Sequence, residues 1–287
     1  MQKRRILAAL MQFRPPRTNG FRILVYHSVR PVGAASPSPY VIDPEQFARQ
    51  MEWLVEKNYQ VVSLSIALEA FRTGGSLLSK TVVLSFDDGC RDNLTYAEPI
   101  VRRYGFTPIV FLCPGLFGQP EGKYRDFITP SPLLTQDEAL ELIRAGWEVG
   151  GHTRRHPRLV GHSTAEELDD EVGGCRVAIG NLLGYDAKIF AYPFGQFDAV
   201  VRQCVARHGY EAACTTLSGF NTARTDRFEL RRIVIRAGDD LREFQRKVQG
   251  AYDWLGYFKR RSLMKKMRRQ ARNTSAPELL QRLCIAL

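Results

Sequence analysis

Two adjacent carboxylates, Asp87 and Asp88, close the run Thr81-Val82-Val83-Leu84-Ser85-Phe86 and are followed by Gly89. The run is β-branched and apolar, so it reads as a fully buried strand. Paired acids at its end are costly to desolvate unless a cation, a proton or hydrogen bonds compensate them. Alone, the pattern also suits a plain strand-to-turn junction, where Asp-Gly is common. Three of the chain's five histidines change the weighing. His27 follows the short strand Arg22-Ile23-Leu24-Val25-Tyr26, His152 follows Trp147-Glu148-Val149-Gly150-Gly151, and His156 comes four residues later. A catalytic metal needs three protein donors and an open position. His152 and His156 bracket a short loop and can converge on one ion, with one Asp as third ligand. The other Asp is then free to act as general base toward metal-bound water. Hydrolysis of an amide also needs an acid for the departing amine, and His27 suits that role.

These groups act together only if strand ends collect them. After His27, the stretch Ser28 to Tyr40 is rich in Pro, Ser and Gly and reads as a loop. Asp43-Pro44-Glu45-Gln46 has the cap and first-turn chemistry that opens a helix, with Phe47, Met51 and Leu54 on its core face. Val61-Val62 is a second strand, and a helix from Ser65 to Arg72 stops at Gly74-Gly75. Beyond the Asp pair, a helix from Asn93 to Tyr104 is expected to bend at Pro99. Thr107 to Cys113 is a strand, and residues 114–134 read as one long loop of a length that is often functional. Thr135-Gln136-Asp137-Glu138 is a capping box. From there strands and helices alternate: a long helix after Ser163, a strand from Lys188 to Tyr192, a helix from Asp198 to His208, and a strand near Glu211–Thr215. Arg232 to Ile235 and a helix from Asp240 to Val248 complete the series.

Alternation of this kind, without an internal repeat, predicts a parallel sheet wrapped by helices. No Gly-x-Gly-x-x-Gly or phosphate-loop sequence follows the first strand, which favours a closed barrel over a nucleotide-binding open sheet. Barrels carry their functional groups at the carboxyl ends of the strands. His27 is expected across that mouth from the Asp pair.

Phe86-Asp87-Asp88-Gly89 together with His152-Thr153-x-x-His156-Pro157 resembles the polysaccharide deacetylases of carbohydrate esterase family four, the NodB-like domain, from about Phe21 to about Gly250. The resemblance implies an α/β fold, a distorted parallel (β/α) barrel with about seven strands. It implies Asp87 as general base, and Asp88, His152 and His156 as ligands of a divalent metal, Zn2+ foremost with Co2+, Ni2+ or Fe2+ as alternatives. The implied activity is removal of N-acetyl groups from an amino-sugar-containing glycan or glycolipid. The same chemistry on a cyclic amide or an O-acetyl ester is the alternative, as is an inactive glycan- or membrane-binding relative.

Two departures from the family pattern stand out. Where a base-orienting Arg is expected, Ala191-Tyr192-Pro193-Phe194-Gly195 carries Ala191; Arg236 and Arg91 are the candidate substitutes, and the Pro-Phe-Gly turn can offer an N–H to an oxyanion. The late histidine that serves as acid is also missing. Leu24-Val25-Tyr26-His27-Ser28-Val29 resembles the subgroup in which that motif is permuted to the N-terminus, which implies His27 as the acid. The remaining candidates have plainer readings. His162 and His208 read as a loop residue and a helix-end cation, Asp198 and either Asp239 or Asp240 as caps, and Cys90 as a packing residue. Tyr26 and Tyr192 suit a sugar-stacking wall and the core equally.

The net charge of +11 is concentrated at the ends. Residues 1–20 carry +5 and residues 255–287 carry +8, leaving −2 for the body between them. This argues against a nucleic-acid groove and for tails that touch an anionic surface. The division expected is a basic leader 1–20, a barrel 21–255 and a basic amphipathic tail 256–287, the last suited to an anionic membrane. Six scattered cysteines without a Cys-x-x-Cys pair favour free thiols in a reducing compartment. The apolar run near the start is short for a signal peptide. A cytoplasmic protein, peripheral to the membrane's inner face at most, is the expectation.

Overall fold

The computed structural model describes residues 19–32, 38–77, 80–124, 127–161, 164–258 and 260. The basic leader up to residue 18 and nearly all of the basic tail, with the membrane contact expected of it, lie outside those residues. So do His162 and Cys284.

Seven parallel strands form a nearly closed barrel in the order β11-β10-β9-β6-β5-β1-β12. They are β1 Phe21–Tyr26, β5 Thr81–Phe86, β6 Ile109–Leu112, β9 Glu148–Gly151, β10 Ile189–Ala191, β11 Ala212–Cys214 and β12 Arg232–Val234. An isolated parallel bridge from Cys214 to Leu230 brings β11 against the approach to β12. A short strand β4, Gln60–Val61, pairs with the start of β5.

Alternation along the strands separates two cores. Val82, Leu84 and Phe86 pack outward with Leu24, Tyr26, Val110 and Leu112 against the helices. Ile23, Val83, Ile109, Phe111, Ile189 and Ala191 pack together inside the barrel. The period of two therefore carries Ser85 and then Asp87 on the inward side of β5. Register fixes who meets whom at the mouth. Tyr26 pairs with Phe86, and the Asp87 N–H donates to the Tyr26 carbonyl at 3.0 Å, so His27 and Asp87 are neighbours rather than facing across the mouth. Leu112 pairs with Gly151, and the His152 N–H donates to the Leu112 carbonyl at 2.9 Å.

Helix ends follow the expected caps. Asp43, Thr135, Asp198 and Asp240 cap the helices Pro44–Glu56, Gln136–Arg144, Ala199–Arg207 and Leu241–Val248. Asp239 is not a cap; it accepts the Arg236 N–H and the Lys247 ammonium. Three local expectations change. The Ser28–Tyr40 stretch contains β2, Ser28–Val29, which pairs in parallel with β3, Val41–Ile42. The 114–134 stretch holds a 3-10 turn, Pro114–Leu116, and an antiparallel hairpin of β7, Gly122–Tyr124, and β8, Phe127–Thr129. Ahead of Pro99 the helix opens into a wide π turn, Asn93–Ala97, which accommodates the missing proline N–H before the α turn Glu98–Arg102. No described helix is long and apolar enough to cross a membrane. The five described cysteines are all buried and free.

Candidate active site

The carboxyl ends of the strands surround a cleft of 1320 Å³ whose floor includes His27, Asp87, Asp88, His152 and His156. All five residues singled out in the sequence therefore converge. The Asp88 Oδ1 lies 3.5 Å from His152 Nε2 and 3.3 Å from His156 Nε2. The three side chains are buried, and one donor atom from each falls within 4.8 Å of the others.

His152 Nδ1 is 2.7 Å from the Ala191 carbonyl. A carbonyl only accepts, so Nδ1 carries the proton of the neutral ring and Nε2 presents its lone pair toward Asp88. Two imidazole nitrogens and one carboxylate oxygen at this spacing fit a divalent cation with an open position. Without a cation the same groups lean on one another: burial pushes the Asp88 carboxyl up, but the adjoining His152 and His156 outweigh it and hold it well below the usual range. Burial lowers the His152 imidazole, and Asp88 and Asp87 more than reverse that.

Backbone strain gathers here. Asp88, Thr153, His156 and Phe194 all have left-handed φ between 57° and 72°, four of the five such non-glycine residues among those described. Such conformations persist where surrounding contacts over-determine them, and they cluster at functional sites. At Gly89, φ is +73° and a Cβ would lie 2.8 Å from Leu112, so the turn after the acids requires glycine.

The group that orients Asp87 is Arg232, which sequence reasoning missed. Its Nη1 donates to Asp87 Oδ1 at 2.6 Å and its Nη2 to Oδ2 at 2.8 Å, a bidentate pair. Its Nε donates to the Thr215 carbonyl at 2.8 Å, and its guanidinium carbon lies 5.4 Å from the centre of the Phe111 ring. Arg232 is 0% exposed. It pairs in register with inward-facing Ile23, and the small inward residues Ala191, Ala212 and Cys214 leave the barrel room for it. Arg91 instead pairs with Glu138 at 2.9 Å, and Arg236 lies over the Tyr40 ring. The one available signal was an arginine at an inward position of an otherwise apolar strand.

For Asp87, burial raises the carboxyl, but Arg232, His152 and His27 together hold it below its ordinary value. A depressed carboxylate contributes stability that is full above its unfolded value, about 3.9, and is lost as pH falls through the folded value. In metal-free protein, the stability gap between the unaltered chain and Asp87→Asn should narrow as pH falls below about 4. Urea midpoints across that range check this; a gap that does not narrow means Asp87 is not an ionised partner of Arg232.

His27 is held through its backbone. Asn93 Nδ2 donates to the His27 carbonyl at 2.8 Å, while Asp92 accepts the Ser28 hydroxyl at 2.6 Å and the Val29 N–H at 3.0 Å. Its ring packs on Tyr40, centroids 4.6 Å apart, and its Nδ1 is buried without a hydrogen-bond partner among the described residues. Burial lowers its pKa, against the pull of Asp88 and Asp87.

The plainer candidates resolve simply. Tyr26 donates to Gln50 and Tyr192 to the Phe228 carbonyl, and both are fully buried in the core away from the cleft. Burial pushes the Cys90 thiol well up, as do Asp92 and Asp88, which leaves no thiolate nucleophile. His208 caps a helix end and meets Asp169 at 3.0 Å. Asp169, Cys204 and His208 form a second cluster of donor atoms. Arg207 already neutralises Asp169 there, so the cluster reads as a seam between two helices.

The chain is similar to several known proteins. A family model described as polysaccharide deacetylase matches residues 74–213. The Bacillus subtilis (strain 168) protein YxkH is 24% identical over 216 residues, which cover 75% of this chain and 71% of YxkH. The poly-beta-1,6-N-acetyl-D-glucosamine N-deacetylase of Escherichia coli (strain K12) is 23% identical over 84% of this chain; the match spans 40% of that longer protein. Among solved structures, the Streptococcus pyogenes deacetylase PplD in complex with acetate superposes with a TM-score of 0.70 at 22% identity, covering 80% of this chain and 98% of that one. IcaB from Ammonifex degensii gives 0.69 at 19% identity, covering 81% and 98%. Both share the barrel.

Proposed function

We propose that the chain, which the polysaccharide deacetylase model matches over residues 74–213, is a hydrolase of non-peptide carbon–nitrogen bonds that removes N-acetyl groups from an amino-sugar-containing glycan or glycolipid with the help of a divalent cation, Zn2+ foremost. The observation that carries this reading is the convergence of Asp88, His152 and His156 beside an Asp87 clamped by Arg232. Bound there, a divalent cation would supply Lewis acidity, polarising an amide carbonyl and lowering the pKa of water toward neutrality.

The chain's own groups account for the proton traffic. Asp87, ionised and fixed by two hydrogen bonds, takes the proton of the attacking water as general base. His27, on the neighbouring strand end, supplies a proton to the departing amine. In the Pro193–Gly195 turn, the Gly195 and Gln196 N–H groups donate to the Tyr192 and Pro193 carbonyls, and proline has no N–H to give. Phe194 lines the cleft, and its N–H is the donor we assign to the developing oxyanion. Tyr40 and Phe194 supply flat apolar surface at the cleft for a pyranose ring.

The test is a mass-spectrometric screen of the Zn2+-reconstituted full chain against free, polymeric and lipid-linked N-acetylated sugars, with O-acetylated sugars and cyclic amides in parallel. Loss of acetyl from an N-acetylated sugar, abolished by chelation and restored by Zn2+, is the expected result. Turnover of only the ester or only the cyclic amide would replace the substrate while keeping the chemistry. An intact donor set that binds Zn2+ but turns over none of them would leave the inactive binding relative as the better reading.

A further inference from the structure

Two of the three cation donors stand at the ends of one loop, His152 to His156, and that loop is strained. Thr153 has φ +64° and His156 φ +57°, a conformation that costs an L-residue roughly 1–2 kcal/mol. Inside the loop the His156 N–H donates to the Thr153 hydroxyl at 2.9 Å. That bond ties the loop to itself but to nothing else, so its place is set by contacts from outside.

Those contacts come from the middle of the helix Ala165–Leu183. The Arg154 N–H donates to the Glu171 main-chain carbonyl at 2.9 Å, and the Arg155 N–H donates to Glu171 Oε2 at 2.8 Å. The Arg155 guanidinium lies 3.0 Å from Glu171 Oε1, and Arg154 and Arg155 both pair with Asp170. From the opposite side the Gly115 N–H donates to the Arg154 carbonyl at 2.9 Å, where a Cβ at Gly115 would lie 2.7 Å from that oxygen. Glu171 is 2% exposed and does not line the cleft. A carboxylate buried mid-helix is expensive unless charge and hydrogen bonds compensate it, and among the described residues the Arg155 N–H and guanidinium, in the loop between the two histidines, do so.

We propose that Glu171 is a positioning residue for the cation site: its carboxylate and carbonyl hold the Arg154 and Arg155 N–H groups, and so keep His156 turned toward Asp88 and His152 in the left-handed loop. The inference rests on the cation reading of Asp88, His152 and His156. Without the clamp the loop can relax to ordinary φ, which swings His156 away and leaves two donors in place of three.

The experiment measures Zn2+ and Co2+ affinity of the full chain by competition with a chromophoric chelator, alongside the unfolding midpoint of the metal-free protein. Glu171→Ala should weaken affinity by about 10–100-fold, the range for residues that orient metal ligands. Glu171→Gln, whose amide oxygen still accepts the Arg155 N–H, should recover most of it. Should the alanine variant fail to fold, Glu171→Asp keeps the charge but shortens the reach, and weakened affinity is again expected. Affinity unchanged in the variant that folds, with only the metal-free midpoint lowered, overturns the inference and makes Glu171 a packing residue. No binding of either ion by the unaltered chain overturns the cation reading itself, an outcome distinct from the first.

Discussion

Arg232→Met should lose both stability and turnover, because one side chain serves both. It removes a guanidinium that is 0% exposed and leaves Asp87 as a buried carboxylate with its two strongest donors gone. Breaking a buried pair from one side costs about 3–5 kcal/mol, most of it the penalty on the charge left behind. The base also loses its orientation, and misplacement of a reacting group by an ångström is worth roughly 10²-fold in rate. Arg232→Lys should rescue little, since an ammonium cannot reproduce the bidentate fork to Asp87 and still reach the Thr215 carbonyl. Chemical denaturation gives the first effect and kcat on an N-acetylated sugar the second. The double variant Arg232→Met with Asp87→Asn separates them: it should regain much of the stability, because no unpaired charge remains, while staying inactive. Full activity in Arg232→Met would mean that Asp87 is positioned by something else or is not the base.

His27→Ala should lower kcat by roughly 10²–10⁴-fold, the usual worth of a positioned acid, while bound Zn2+ stays at the level of the unaltered chain. That separation is expected because the proposed cation donors are Asp88, His152 and His156, and His152 is oriented by the Ala191 carbonyl. The loop's shape should also survive, since Asn93 and Asp92 hold it by backbone groups at residues 27 and 29 and by the Ser28 hydroxyl. Elemental analysis beside steady-state kinetics is the check. Metal and turnover lost in parallel would make His27 a ligand or a fold residue.

Much of this site was legible because it is written locally. Asp87 and Asp88 follow a strand whose burial is evident from its composition, and His152 and His156 flank a short loop after another. Strand-end placement in a barrel then gathers them without further information. The strands and helix caps were legible for the same reason, as Thr135 and Asp198 show: a cap is a contact over two or three residues. Where contacts were not local, expectations slipped. His27 was placed across the mouth, but which strand neighbours which is decided by pairing between β1 and β5. The 114–134 stretch read as a loop because its short hairpin strands carry little periodicity.

The sequence by itself therefore held the adjacent Asp pair, the His152–His156 spacing and the alternation of strand and helix. Each depends on neighbours a few residues apart. Only the tertiary structure decided what orients Asp87, because the answer lies 145 residues away on a strand that meets β1 by backbone register. It also turned Ala191 from an unexplained gap into a structural counterpart of Arg232: a small side chain there leaves the barrel interior open to a guanidinium from β12. The clamp of Glu171 on the histidine loop was hidden for the same reason. An acid inside an amphipathic helix reads as solvated until packing shows that its face is buried, and packing is a property of the whole fold.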